Sequence, residues 1–87
     1  MEEIKIQIEK LLDNSTWNTT EFNFTYKFIS NTVWINNKMI GEYNLTINEN
    51  NLYLNFGGKN FIITLISDYE IELNDGKSFF RVELATI

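Results

Sequence analysis

The residues with the most obvious chemical potential are carboxylates near the end of the chain: Asp68, Glu70 and Glu72 at alternate positions, with Glu83 in the segment that follows. Paired carboxylates can carry out the acid and base steps of glycoside hydrolysis, or hold a hard cation. Alternation along an extended segment, however, places them in a row on one solvated face, which is the ordinary pattern of an exposed strand. Ser15, Ser30, Ser67 and Ser78 have no histidine to activate them, and Gly57-Gly58 is too short to cradle a phosphate. The chain has no cysteine and no histidine. Disulfide frameworks, thiol nucleophiles, zinc sites and imidazole proton relays are therefore excluded. The expectation is a protein that is not an enzyme, with no cofactor, no metal and no catalytic residue.

What remains is binding. Twelve acidic residues against six Lys and one Arg give a formal charge of −5. That balance argues against a phosphate-binding surface, because nucleic-acid affinity rests on clustered Lys and Arg. It suits a basic partner, and it also serves solubility. The partner-binding candidates are Tyr53, Asp68, Glu70, Glu72, Phe79, Arg81 and Glu83, with Ile62 and Ile66 as further apolar anchors. Aromatic anchors ringed by carboxylates fit a larger protein with a basic, nucleic-acid-handling surface, since carboxylates can occupy places meant for phosphates. In profile this matches an inhibitor such as a toxin-immunity or anti-CRISPR protein. The alternative is a small-ligand carrier whose cavity is lined by Phe24, Tyr26, Trp34 and Tyr43. A duller third reading is self-assembly into a homodimer through an edge strand.

These residues need elements to position them. The organising stretch is Glu21 to Ser30, where Phe22, Phe24, Tyr26 and Phe28 alternate with polar Glu21, Asn23, Thr25 and Lys27. This is the two-residue period of a half-buried strand. Before it, Ile4, Ile8, Leu11 and Leu12 fall on one helical face over residues 1–13, with Glu2 and Glu3 at the end the helix dipole favours. Ile4, Ile6 and Ile8 also alternate as a strand would, but the Glu-Lys-Leu-Leu continuation favours a helix. Trp17, alone in a polar setting, reads as a core plug.

After the aromatic strand come Thr32 to Ile35, an Asn36-Asn37-Lys38 turn, and a strand from Met39 to Ile47 with Gly41 as a bulge or bend. Leu52 to Phe56 follows, closed by Gly57-Gly58, and then Asn60 to Ser67, which is apolar on both faces. Such a strand is either buried on both sides or exposes Ile62 and Ile66. Asp68 to Leu73 resumes the alternation with Tyr69, Ile71 and Leu73 inward. Asp75-Gly76 marks a hairpin, and Ser78 to Leu84 ends the series with Phe80, Val82 and Leu84 on one face. The fold class is thus mainly β: one domain over 1–87, an antiparallel meander of six to seven strands, barrel-like or strongly curved, with one N-terminal helix.

The succession of Leu11-Leu12, Trp17, a Phe-rich strand, Gly-Glu-Tyr-Asn-Leu, Asn-Leu-Tyr-Leu and Ile-Ser-Asp-Tyr-Glu-Ile-Glu-Leu before an Asp-Gly turn resembles the cadence of small bacterial lipocalin-like barrels. The resemblance implies an antiparallel meander and an apolar ligand within the barrel. The start of the chain has acids where a signal peptide has positive charge, and no segment approaches a membrane span, so a cytoplasmic location is expected. The four Asn-X-Thr or Asn-X-Ser triplets at Asn14, Asn18, Asn23 and Asn44 then read as coincidences of a chain with thirteen Asn.

Overall fold

A computed structural model describes residues 2–21 and 23–85. Helix α1, Glu2–Leu12, begins with two acids at its dipole-positive end and carries Lys10 in its last turn. It turns Ile8 and Leu12 into the core, while Ile4 lies largely outside. Nine strands follow: β1 Ser15–Thr19, β2 Thr25–Ile29, β3 Thr32–Ile35, β4 Lys38–Glu42, β5 Asn44–Asn48, β6 Asn51–Phe56, β7 Lys59–Ser67, β8 Glu70–Asn74 and β9 Phe79–Leu84. They form one antiparallel sheet in the order β4-β3-β2-β1-β9-β8-β7-β6-β5, curled into a half-barrel with α1 against β5 and β1.

The expected six to seven strands become nine for two reasons, both a matter of pairing across the sheet. First, β1 consists of Ser-Thr-Trp-Asn-Thr, and its single apolar residue shows no alternation. It is extended because β2 and β9 hydrogen-bond to it from both sides, with Trp17 opposite Tyr26 on one and Leu84 on the other. Secondly, the expected strand from Met39 to Ile47 breaks at Tyr43. There the chain leaves one edge of the sheet, β4, and enters the other, β5, one residue later. A sheet whose opposite edges are one residue apart has to curl. Two features allow it: Gly41, at φ 150°, follows the unpaired Ile40 in a bulge where Val33 pairs with Gly41 but Trp34 with Met39. The Tyr43 amide also donates to the Asn31 carbonyl at 2.8 Å, pinning the corner to the β2–β3 turn.

The concave face is the core. Trp17 is fully buried, the core plug expected of a lone Trp in a polar stretch. Tyr26, Phe56, Phe61 and Phe80 form a closed set of ring contacts with centroids 5.3 to 6.4 Å apart, alternately stacked and edge-on. Phe28 meets Tyr43 edge-on at 5.2 Å. Two expectations for the inward face are corrected. Phe24 precedes β2 instead of lying in it and is 46% exposed. Tyr69 is 67% exposed, because Ser67 pairs with Glu70 and leaves Asp68-Tyr69 as the turn. The expectation for Phe22 lies outside the described residues.

Candidate functional site

The β8–β9 hairpin brings most of the expected partner-binding residues onto one convex strip. Its register sets Glu70 opposite Glu83, Glu72 opposite Arg81 and Asn74 opposite Phe79. The hairpin forms here because Ile71, Leu73 and Val82 face the core and their alternate neighbours must face solvent. Its turn is built by Asp75, whose carboxylate accepts from the Lys77 and Ser78 amides at 2.9 Å each. Those amides hold the Asp75 carboxyl below its ordinary pKa. The turn spans four residues, 75–78, with Gly76 at φ 94°, and so is longer than the two-residue hairpin the Asp-Gly pair alone would specify.

Along this strip the chemistry is graded. Phe79, 62% exposed, stands at one end. In the middle Arg81 lies 3.7 Å from Glu72 and 3.9 Å from Glu70. At such distances on a solvated surface each pair contributes about 0 to 1 kcal/mol, so the cluster arranges charge more than it stabilises the fold. Glu70 and Glu83 form the far end with Asp68 in the adjoining turn, and the like charges of Glu70 and Glu83 lie directly opposite one another. Arg81 offsets one of three carboxylates and the strip remains net acidic. Among the described residues no group of three or more acids is placed to hold a metal ion.

Sequence reasoning missed Tyr69. It projects beside Glu70 and Glu83, where Ser67, Tyr69, Glu70, Glu83 and Leu84 line a small open groove of about 280 Å³. The Ser67 hydroxyl accepts from the Tyr69 amide at 3.1 Å and the Tyr69 carbonyl accepts from the Leu84 amide at 2.7 Å, so the turn is anchored on both sides. The available signal was Ser67-Asp68 as a turn opener, masked by the strong alternation of Tyr69, Ile71 and Leu73. The strip is therefore acidic between two exposed rings.

Tyr53 lies apart from it. It is half-buried on the convex face of β6, reached from Phe79 only across Asn74 and Ile62. Ile62 is half-buried and borders an open groove with Ile4 and Gln7 of α1; Ile66, 42% exposed, is the unpaired residue of a bulge in β7. Around Tyr53 the convex surface of β5 to β7 is neutral. Asn44, Asn55 and Asn60 stand side by side, Thr46, Tyr53 and Ile62 form the next row, and Asn48 and Asn51 begin the third.

The residues expected to line a ligand cavity do not come together. Phe24 is outside, Tyr26 is packed among Phe56 and Phe80, and Tyr43 sits at the β4–β5 corner. Trp34 pairs with outward Lys27, and its Nε1 donates to Thr32 Oγ1 at 3.1 Å, so it belongs to the convex side. Tyr26 and Tyr43 both have their phenol pKa raised by burial, Tyr43 additionally by the carboxylates of Asp13 and Glu9. Among the described residues no helix is long and apolar enough to cross a membrane. Comparison with protein-family models, with curated proteins and with solved structures finds no match to this chain.

Proposed function

We propose that this chain is a non-enzymatic binding module that docks its β8–β9 strip on a basic surface of a larger protein and inhibits it by occupation, in the manner of toxin-immunity or anti-CRISPR proteins. The observation that carries this reading is the convergence of Glu70, Glu72 and Glu83 on one solvated strip ended by two exposed aromatic rings, Phe79 and Tyr69. Exposed rings are well suited to act as anchors, and acids between them supply steering and register toward a cationic partner. The carrier alternative has less to rest on, because the rings that would line a cavity pack against one another instead. A target that handles nucleic acid is the finer part of the proposal and rests on charge mimicry alone.

The test is retention of a host protein on the tagged chain, read by mass spectrometry at low and high salt and repeated with two double variants. Glu70→Lys with Glu72→Lys should abolish a salt-sensitive partner. Tyr69→Ala with Phe79→Ala should weaken it at all salt concentrations. Tyr69 and Phe79 are largely exposed, where substitutions cost within about 0.5 kcal/mol of stability; the side chains of Glu70 and Glu72 are only 25% and 24% exposed and face Arg81, so the charge variant is first checked for an unchanged urea midpoint before its binding is read. A partner retained equally by all three proteins would remove the strip from the reading.

A further inference from the structure

The neutral face around Tyr53 is chemically unlike the rest of the molecule. Charged residues make up 22% of the chain, yet the open groove of about 510 Å³ on this face is lined by Asn44, Thr46, Asn48, Tyr53, Asn55 and Asn60, none of which is charged. Strand registration makes the array regular: residues on one face recur about every 6.8 Å along a strand, and strands are spaced about 4.8 Å apart. Tyr53 is at its centre, flanked by Thr46 and Ile62 in its own row. The Asn55 amide nitrogen donates to Asn44 Oδ1 at 2.8 Å and to Thr46 Oγ1 at 3.0 Å. That network fixes the orientation of three side chains before any ligand arrives, and Asn44 and Thr46, acting as acceptors in it, keep their own donor hydrogens for a ligand.

A carboxamide both donates and accepts, as a sugar hydroxyl does. An aromatic ring presents an apolar face of the kind that the C–H side of a pyranose covers. Within the groove itself a charged ligand would find no counter-ion, since Glu42 and Lys59 lie beyond the Asn44, Asn55 and Asn60 row in the adjoining groove, and a purely apolar one would have to strip water from the amides without replacing the hydrogen bonds. We infer that the convex face of β5 to β7 is a binding site for a neutral oligosaccharide, with a sugar ring stacked on Tyr53 and its hydroxyls bonded to the surrounding amides. This site is distinct from the β8–β9 strip and does not depend on the function proposed for it.

The test is a titration of the isotopically labelled full chain with cellohexaose, maltohexaose and hexa-N-acetylchitohexaose at millimolar concentration, following side-chain amide and backbone resonances. At least one sugar should shift the Asn44, Asn48, Asn55 and Asn60 amides while leaving Glu70, Glu72 and Arg81 unmoved. Tyr53→Ala should weaken that binding about tenfold or more, the effect of losing about 1.4 kcal/mol of contact. Because Tyr53 is half-buried, Asn60→Asp serves as the second variant: it is exposed, leaves the core untouched, and should weaken binding comparably by replacing a donor with a charge. If none of the three sugars moves these resonances, or if both variants bind as the parent does, the inference is wrong. It is equally wrong if the face moves only on adding the protein partner of the β8–β9 strip.

Discussion

The junction between α1 and β1 gives the sharpest quantitative prediction. The Trp17 indole N–H donates to Ser15 Oγ at 2.7 Å, and Ser15 Oγ donates to the Leu12 carbonyl at 2.7 Å, so one hydroxyl satisfies a buried indole and caps the last turn of the helix. Trp17 is fully buried, so Ser15→Ala leaves its N–H without a partner, which costs about 1 to 3 kcal/mol. The lost cap adds a few tenths to about 1 kcal/mol. For a domain of this size total stability is on the order of 5 to 10 kcal/mol, so a loss of about 2 kcal/mol is a substantial share.

In urea, with a slope of about 1 to 1.5 kcal/mol per molar for so small a protein, the midpoint should fall by about 1.3 to 2 M. Tryptophan emission can report the transition. The mechanism is tested by combining Ser15→Ala with Trp17→Phe, which removes the donor itself. If the cost comes from the orphaned indole, the double variant should be about 1 kcal/mol more stable than the sum of the single losses. A Ser15→Ala midpoint unchanged within error, or strict additivity, would refute the reasoning and reduce Ser15 to an ordinary surface hydroxyl.

Three further perturbations separate the observed core from the one the alternation suggested. Phe28→Ala, at a fully packed position, should cost about 3 to 5 kcal/mol, whereas Phe24→Ala, outside the sheet, should cost under about 1 kcal/mol; urea midpoints that ranked them the other way would overturn the inward assignment. At Gly57, at φ 58°, an added Cβ would stand 3.1 Å from Ile40 Cγ2, so Gly57→Ala should cost about 1 to 2 kcal/mol, and a stabilised variant would mean the β6–β7 turn is not held against β4. For pH, Tyr43 has a folded-state pKa raised above its ordinary 10.0 by burial and by Asp13 and Glu9. The stability this confers is fully present below 10.0 and is lost as pH rises through the higher folded-state value. Tyr43→Phe should therefore lose less stability than the parent between neutral and strongly alkaline pH, and identical alkaline slopes would show that the phenol is not desolvated.

The hairpins were legible in the sequence because their signals are local. Asn36 and Asn37 both take positive φ, as do Gly57 and Gly58, and each pair joins strands in register; the first turn is one residue shorter than Asn36-Asn37-Lys38, because Lys38 already pairs with Ile35. The helix was legible from the spacing of Ile8, Leu11 and Leu12, and the inward set Phe80, Val82 and Leu84 from simple alternation. The acid ladder of Glu70, Glu72 and Glu83 followed from the same alternation, because a strand with one buried face must present the other to water.

What the tertiary structure decided has no local signature. β1 is a strand only because two neighbours pair with it. The segment from Lys38 to Asn48 is two strands because the curled sheet brings its edges together at Tyr43. Tyr69 turns outward because Ser67 finds Glu70 across the β7–β8 turn, against an alternation that would have buried it. Cross-strand register over the β5–β6–β7 meander sets Asn44, Asn55 and Asn60 side by side in one neutral row. Period and turn chemistry act over a few residues and determine elements; which faces and edges meet is set by burial and pairing summed over the whole chain, and both candidate sites arise there.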